Sequence, residues 1–123
     1  MPSQQTTVAI IDDDPGMRSA TASLLSAFGY GTETFGSGEE FLNAAATSAA
    51  TCLVVDIKLG NISGLDLVRQ LAAAGIKLPV IFMTGCADEA IRSQATQLGC
   101  CIAYLKKPFP ANLLIEGIIR AIG

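Results

Sequence analysis

The chain has 123 residues, of which 50% are apolar and 15% are charged, and 8 basic against 11 acidic residues give a net charge of −3. This length suits one domain with a buried core, so we expect residues 1–123 to form a single domain. The acidic balance argues against direct nucleic-acid binding by this chain. The sequence has no histidine, which excludes Ser/His/Asp and Cys/His catalysis, His-containing zinc sites and a phosphohistidine on the chain itself.

The sequence also bears on location and on redox chemistry. No apolar run is close to the length of about 18 residues that a helix needs to span a bilayer. The first residues also lack the basic and apolar segments of a secretory signal. We therefore expect a cytoplasmic protein without membrane contact. The cysteines show no CxxC spacing and two are adjacent, which predicts small buried apolar side chains rather than a zinc or disulfide framework at Cys52, Cys86, Cys100 and Cys101.

The first half of the chain alternates strand and helix patterns. Residues 8–11 predict a strand, followed by a helix that Asp14 caps and Gly29 ends, with Met17, Ala20, Thr21, Leu24 and Phe28 at helical spacing. Residues 32–35 alternate like a partly exposed edge strand. Ser37 and Glu40 form a capping-box pattern that opens a helix to about residue 46.

The second half repeats the alternation three times. Residues 52–55 and 79–83 are apolar without alternation, which predicts central strands, and 101–105 predict a fifth strand. Predicted helices begin at the Ser63 cap, span 88–98, and start at Pro110. Their apolar stripes are Leu65, Val68, Leu71 and Ala72 in the first of these, and Leu114, Ile118 and Ile122 in the last. Leu113 and Ile119 lie off the last stripe, as either a second apolar face for a partner or isolated surface residues.

Five strand-helix units predict an α/β fold of the flavodoxin-like, doubly wound type. We expect five parallel strands in the order 2-1-3-4-5, with helices on both faces and ligands at the carboxyl ends of the strands.

Polar residues follow the predicted strands at that edge: Asp12, Asp13 and Asp14 after the first, Asp56 after the third, Thr84 after the fourth, and Lys106 and Lys107 after the fifth. Clustered carboxylates raise one another's pKa, and a bound Mg²⁺ removes that cost because it prefers oxygen ligands. One aspartate could then act as a nucleophile toward a phosphoryl group, assisted by a lysine and a threonine. Asp14, directly before a proline, is interpreted as a helix cap.

These motifs resemble the receiver domains of two-component response regulators, the CheY-like family, over residues 8–122. The likeness rests on Ile-Ile-Asp-Asp at 10–13, Val-Val-Asp at 54–56, Ile-Phe-Met-Thr at 81–84 and Tyr-Leu-Lys-Lys-Pro-Phe at 104–109. The resemblance implies that Asp56 accepts a phosphoryl group and that Mg²⁺ is held by Asp12, Asp13, Asp56 and the backbone carbonyl of Lys58, with Asp13 the more direct ligand of the first two. It also implies that Thr84 and Lys107 contact the phosphoryl group and that Tyr104 is the aromatic switch residue.

The resemblance further implies the partners. The phosphodonor would be a sensor histidine kinase or a histidine phosphotransfer protein, and the surface of the fourth helix, fifth strand and fifth helix would change on phosphorylation and could form a homodimer. Residues 11–14, 35–41 and 84–85 are most similar to FixJ-type receivers, which usually control a DNA-binding output domain. The implied role is that of a phosphoacceptor, not an enzyme beyond self-phosphorylation and autodephosphorylation.

Two departures from the family pattern lie outside the predicted site. The loop after Asp56 lacks the common Met-Pro and has Gly60 in place of proline, which predicts a more mobile loop. Residues 99–103 form a stretch one residue longer than usual, so the end of the fourth helix is uncertain by one residue.

Three alternatives remain open at this point. A haloacid-dehalogenase-like phosphatase would use Asp12 and Asp14 as nucleophile and acid/base, but it expects a Thr or Val soon after that pair and an acidic pair beyond its lysine. A flavin or dinucleotide carrier would need a phosphate-binding glycine loop after the first strand, and none is present. A receiver-like interaction module that is never phosphorylated would share the fold.

Overall fold

The predicted alternation of strands and helices is present throughout the computed structural model, which describes residues 6–86 and 88–123. Five strands and five helices follow one another along these residues: β1 Thr7–Ile11, α1 Pro15–Ala27, β2 Gly31–Phe35, α2 Gly38–Ala44, β3 Cys52–Asp56, α3 Gly64–Ala73, β4 Val80–Thr84, α4 Glu89–Thr96, β5 Cys101–Lys106 and α5 Ala111–Ile122.

The strands form one parallel sheet in the order β2-β1-β3-β4-β5, which confirms the predicted fold class. Strands β3 and β4 are buried along their whole length, whereas edge strand β2 is half-buried. This matches their sequences, since strands covered on both faces need apolar residues at every position.

Alternate strand residues build a core on each face of the sheet. Ile10, Val54 and Ile81 point to the face where Leu25 of α1 and Leu114 of α5 pack. The opposite face carries their strand neighbours together with side chains from α2, α3 and α4: Ile11, Val55, Phe82, Phe41, Leu67 and Ala95. The two-residue period of a strand therefore divides the apolar residues between two helical layers.

Helix capping follows the sequence signals closely. The side chains of Asp14, Ser37, Ser63 and Asp88 accept hydrogen bonds from the first turns of α1, α2, α3 and α4. The capping box of α2 differs in one detail, since Glu40 accepts from the amide of Gly36 rather than from that of Ser37. Capping side chains satisfy amide groups that lack partners within the helix, so these ends are fixed locally.

Parts of three predicted apolar stripes are wrong. In α1 the buried residues are Thr21 and Leu25, whereas Phe28 is 56% exposed because it is the C-cap, where the backbone leaves the helical conformation. In α5 the core face runs through Leu114 and Ile118 to Ala121, whereas Ile122 is 42% exposed. The spacing of four residues and then three, from Leu114 to Ile118 to Ala121, follows one face of a helix more closely than two spacings of four, which would end at Ile122. Similarly, Ala72 of α3 is exposed while Leu67 is buried.

The ends of two helices also differ from prediction. Helix α2 ends at Ala44 rather than near residue 46, and α4 ends at Thr96 rather than at 98. The extra residue expected near the end of α4 lies instead in β5, since Val80 pairs with Cys101 and Ile81 with Ala103. Ile102 is thus the inserted residue of a β-bulge.

The cysteines do not share one environment. Cys52 is buried and its burial raises the pKa of the thiol to about 12, whereas Cys86 is exposed in the loop after β4. Cys100 and Cys101 are half-buried. The prediction of buried cysteines is therefore wrong for Cys86, because its position follows the end of a strand, where the chain turns into solvent.

The amino end of the sheet contains a cavity of about 480 Å³ between α3, the segment that follows α4 and the starts of β4 and β5, here called the amino-end cavity. Its lining is mainly apolar and includes Leu53, Val68, Leu71, Ile76, Leu78, Lys77, Val80, Leu98 and Ile102. No helix among the described residues is both long and apolar enough to cross a bilayer.

Candidate functional site

Three aspartates meet at the carboxyl end of the sheet. Asp12 directly follows β1, Asp13 is the next residue, and Asp56 ends β3. One carboxylate oxygen from each lies within 4.8 Å of the other two. Asp12 and Asp56 are buried while Asp13 is exposed, so this acidic cluster opens to solvent through Asp13.

Lys107 bridges the two buried carboxylates. Its Nζ lies 2.8 Å from Oδ2 of Asp56 and 3.3 Å from Oδ2 of Asp12. Burial alone would lower the pKa of Lys107, but the hydrogen bond and charge of Asp56 and the charge of Asp12 outweigh burial and raise it. The lysine therefore stays charged and offsets part of the repulsion between the carboxylates.

The remaining oxygens of the buried aspartates bind backbone amides. Oδ1 of Asp12 accepts from the amide of Asp14 at 3.0 Å, and Oδ1 of Asp56 accepts from the amide of Lys58 at 3.1 Å. Burial nevertheless raises the pKa of Asp12, against the lowering effects of the Asp14 amide and Lys107. The structure thus gives Lys58 an amide contact to Asp56, and the metal-binding role of its carbonyl stays a prediction.

The donor set suits a hard divalent cation. Three carboxylates outnumber the single ammonium group of Lys107, which leaves the cluster with excess negative charge. All the ligands it offers are oxygens, which Mg²⁺ prefers, and the exposed side leaves room for the water ligands that Mg²⁺ retains. The residues present therefore fit a magnesium ion.

Asp14 lies outside this arrangement. Its carboxylate accepts hydrogen bonds from the amides of Gly16 and Met17 and so caps α1. The predicted helix cap is confirmed, and no finding favours the phosphatase alternative, in which Asp14 would act beside Asp12.

Thr84 and Tyr104 form no described hydrogen bond to the carboxylates of the acidic cluster. The Thr84 hydroxyl accepts from the amide of Cys86 at 3.1 Å and donates to the carbonyl of Cys86 at 3.0 Å. Thr84 is joined to Lys107 only through the backbone, where the Lys107 amide donates to the Thr84 carbonyl at 2.7 Å. The threonine side chain is thus bound to the loop that leads into α4.

The hydroxyl of Tyr104 is buried and forms no hydrogen bond to any described residue. Burial raises the pKa of Tyr104, and the nearby Thr84 hydroxyl offsets this only in part without reaching hydrogen-bond geometry. A cavity of about 290 Å³ lies alongside, between the ring and the start of α4, lined by Thr84, Asp88, Glu89, Arg92, Tyr104 and Lys106. An unpartnered buried hydroxyl is costly, so this orientation of Tyr104 is weakly stabilised.

Two further residues support the cluster and were not identified from the sequence. A β-carbon on Gly64, the first residue of α3, would overlap the carbonyl oxygen of Asp56. The guanidinium of Arg18 donates to the carbonyl of Asp12 at 2.8 Å. A glycine at the first position of a helix, where a stronger helix former is usual, was the available signal for Gly64, and no comparable signal marked Arg18.

The fold and the acidic cluster together define a doubly wound protein with a polar site at the carboxyl ends of its strands. The family model described as "Response regulator receiver domain" matches residues 8–119, and the chain belongs to that family.

Known proteins give the same assignment. The chain is 36% identical to the response regulator protein TodT of Pseudomonas putida over 98% of its length and 52% of TodT. It is 34% identical to the transcriptional regulatory protein FixJ of Azorhizobium caulinodans, over 94% of the chain and 54% of FixJ. The chain therefore spans about half the length of these curated relatives.

Solved structures agree. The crystal structure of FixJ-N superposes with a TM-score of 0.89 at 33% identity, covering 97% of this chain and 94% of that one. The receiver domain of DrrB, described as BeF3-activated, gives a TM-score of 0.83 at 26% identity over 97% and 98% of the two chains. These matches confirm the resemblance to CheY-like and FixJ-type receivers.

Proposed function

We propose that residues 1–123 act as a phosphoacceptor receiver domain in which Asp56 is the phosphorylated residue. The observation that carries the proposal is the contact of Lys107 with the buried Asp56 and Asp12 carboxylates beside the exposed Asp13. An oxygen of Asp56 would bond to phosphorus as the P–N bond of a phosphohistidine breaks, and the imidazole of the partner kinase or phosphotransfer protein would leave with the electron pair and take up a proton.

Each neighbouring side chain has a role in this proposal. Asp12, Asp13, Asp56 and the Lys58 carbonyl would hold Mg²⁺, which when bound supplies positive charge that offsets the negative charge of the phosphoryl oxygens. Lys107 would move from the carboxylates to a phosphoryl oxygen, since its ammonium group already lies 2.8 Å from Asp56. Thr84 would donate its hydroxyl to another phosphoryl oxygen.

The switch in this proposal is the exchange of partners by Thr84. Phosphorylation adds roughly −1.5 to −2 charges by analogy with other phosphorylated side chains. The Thr84 hydroxyl would leave the backbone of Cys86 for the new acceptor, and Tyr104, whose hydroxyl is already buried without a described partner, would turn further inward into the space that Thr84 leaves. Reversing a 1:99 population requires about 5.5 kcal/mol of differential binding, which a few charge-assisted hydrogen bonds supply.

The surface of α4, β5 and α5 would carry the signal to a transcriptional output or partner protein, and it is our candidate homodimer surface. Leu113 and Ile119 of α5 are both exposed and support this role. We propose a cytoplasmic location, with any DNA contact made by another segment or partner rather than by these acidic residues.

The test is phosphorylation with acetyl phosphate and Mg²⁺, followed by intact-mass spectrometry, with the label expected to be lost on treatment with hydroxylamine. We expect one phosphoryl group on the wild type and none on Asp56→Asn. Asp66→Asn is the matched control, because Asp66 is an exposed carboxylate on α3 whose ion-pair partner among the described residues is Arg69, and it should be labelled like the wild type. An unlabelled wild type would instead support the interaction module, and labelling lost with Asp12→Asn but kept in Asp56→Asn would support the phosphatase.

A further inference from the structure

The backbone of Asp12 lies just past the paired part of β1 and depends on contacts from outside that pairing. Its amide donates to the carbonyl of Phe35 at the end of β2, 3.1 Å away. Its carbonyl accepts from Nη1 of Arg18 at 2.8 Å, a bond that reaches back from the first turn of α1. Arg18 therefore donates a hydrogen bond to the Asp12 carbonyl at the point where the chain leaves β1.

This carbonyl belongs to the peptide group that joins Asp12 to Asp13. Because a peptide group is planar, fixing its oxygen also fixes the amide and Cα of Asp13. The Asp13 carboxylate has no hydrogen bond or ion pair of its own within residues 6–86 and 88–123, although it lies in the acidic cluster. Its position is thus set by the backbone on which it is mounted, not by side-chain partners.

Gly36 provides the space that Arg18 occupies. A β-carbon at Gly36 would lie 3.2 Å from Nη1 of Arg18 and 3.1 Å from Oε2 of Glu40, both tight contacts. Gly36 does not have a positive φ, so its backbone conformation is open to other residues. Room for the guanidinium and for Glu40, rather than backbone freedom, is what a side chain would remove here.

We propose that Arg18 is a positioning residue for the metal site, which holds the Asp12–Asp13 peptide so that Asp13 is oriented to bind Mg²⁺, and that Gly36 keeps the space Arg18 needs. The inference rests on the proposed function of the acidic cluster. For loss of Arg18 the inference predicts weaker Mg²⁺ binding, whereas simple electrostatics predicts tighter binding. Arg18 is a cation near a cation site, so removing its charge alone would tighten Mg²⁺ binding, whereas losing the backbone contact weakens it.

The experiment measures Mg²⁺ affinity by isothermal titration calorimetry, without any phosphodonor. Arg18→Met removes the donor and should weaken binding by about tenfold or more, the size seen when residues that orient metal ligands are replaced. Arg18→Lys keeps the charge and one donor group, and should fall between Arg18→Met and the wild type. Gly36→Ala should weaken binding less than Arg18→Met, while Arg69→Met, which removes an exposed arginine of α3, is the matched control and should bind like the wild type.

A second readout covers variants with reduced stability. The amide chemical shifts of Asp13 and Asp14 in metal-free, folded Arg18→Lys should change, whereas those near Arg69 should not. Arg18→Met binding Mg²⁺ as tightly as the wild type or more tightly would overturn the inference, as would unchanged Asp13 shifts or a wild type that binds no Mg²⁺. Absence of phosphorylation in a wild type that shows the expected affinity order would overturn the proposed function alone.

Discussion

The two ends of the sheet bury different kinds of group. At the carboxyl end, Asp12 and Asp56 are buried with Lys107 and bind backbone amides. At the amino end, apolar side chains surround a cavity of about 480 Å³. The carboxyl end thus brings charged groups together, and the amino end encloses space with few polar groups. Under the proposed function the difference separates two tasks: residues of the carboxyl end would carry the chemistry, and residues of the amino end would chiefly stabilise the fold.

The largest expected effect is on stability, at the amino end. Leu71 lines the cavity and is buried, so Leu71→Ala should lower the free energy of unfolding by about 2–5 kcal/mol, measured by urea denaturation. Leu113→Ala is the matched control, because Leu113 is an exposed leucine on another helix and its loss should change stability by only about 0.5 kcal/mol. Under conditions where Leu71→Ala remains folded, it should still take up one phosphoryl group, and failure to do so would break the separation of the two ends.

Magnesium should stabilise the protein through the carboxyl end. At about 100 times its dissociation constant, a ligand that binds only the folded state adds about 2.7 kcal/mol to the free energy of unfolding. Asp13→Asn should remove most of this increment without lowering stability in the absence of metal, because Asp13 is exposed and unpaired among the described residues. A magnesium increment of wild-type size in Asp13→Asn would contradict the assignment of that ligand.

A smaller stability effect is expected from the glycine beside the phosphoacceptor. Gly64→Ala places a methyl group against the Asp56 carbonyl and should cost about 1–3 kcal/mol, as overpacking usually does. It should also shift the amide resonance of Asp56. Gly85→Ala is the matched control, since no atom of the described residues, its chain neighbours apart, lies within 4 Å of a β-carbon built there. Equal stabilities of the two variants would show that α3 can move away from Asp56 at little cost.

The smallest effect is one of reactivity rather than folding. Cys86, exposed at the carboxyl end, should be alkylated first by a thiol reagent, and the buried Cys52 last, as followed by peptide mass spectrometry. The pKa of Cys52 is raised from 9.0 to about 12 in the folded protein, so its neutral thiol favours folding below pH 9.0 and this contribution is lost as pH rises toward about 12. Alkylation of Cys52 ahead of Cys86 in the folded protein would contradict the burial pattern.

The sequence was sufficient for the fold because several independent signals agreed. Uninterrupted apolar runs marked β3 and β4, and the residues Asp14, Ser37, Ser63 and Asp88 each cap the helix that follows. Besides the β5 bulge and the exposed Cys86, the errors lie toward helix ends, such as Phe28 and Ile122, where the chain departs from helical geometry or where two nearby positions compete for the core. Which residue is buried at a helix end depends on packing against the sheet, and the spacing of apolar residues along the chain does not determine that packing.

For the candidate site, the sequence predicted which residues come together but not all of their contacts. The topology brings the ends of β1 and β3 together, so the proximity of Asp12, Asp13 and Asp56 followed from strand order. Their contacts with Lys107 were not predicted, and neither was the bond between the Thr84 hydroxyl and the Cys86 backbone. Arg18 and Gly64 lie against the backbone carbonyls of Asp12 and Asp56, and contacts of that kind leave no residue pattern along the chain.

The bulge at Ile102 has a consequence for how this chain tolerates changes in length. Cys101 and Ala103 are two residues apart, yet they pair with the adjacent residues Val80 and Ile81. The inserted residue therefore shifts the pairing at one position. From Ala103 onward the pairing of β5 with β4 is regular, so that Tyr104 lies opposite Phe82 and Lys106 opposite Thr84. The one residue inserted before Ala103 therefore leaves the strand pairing of Tyr104 and Lys106 unchanged.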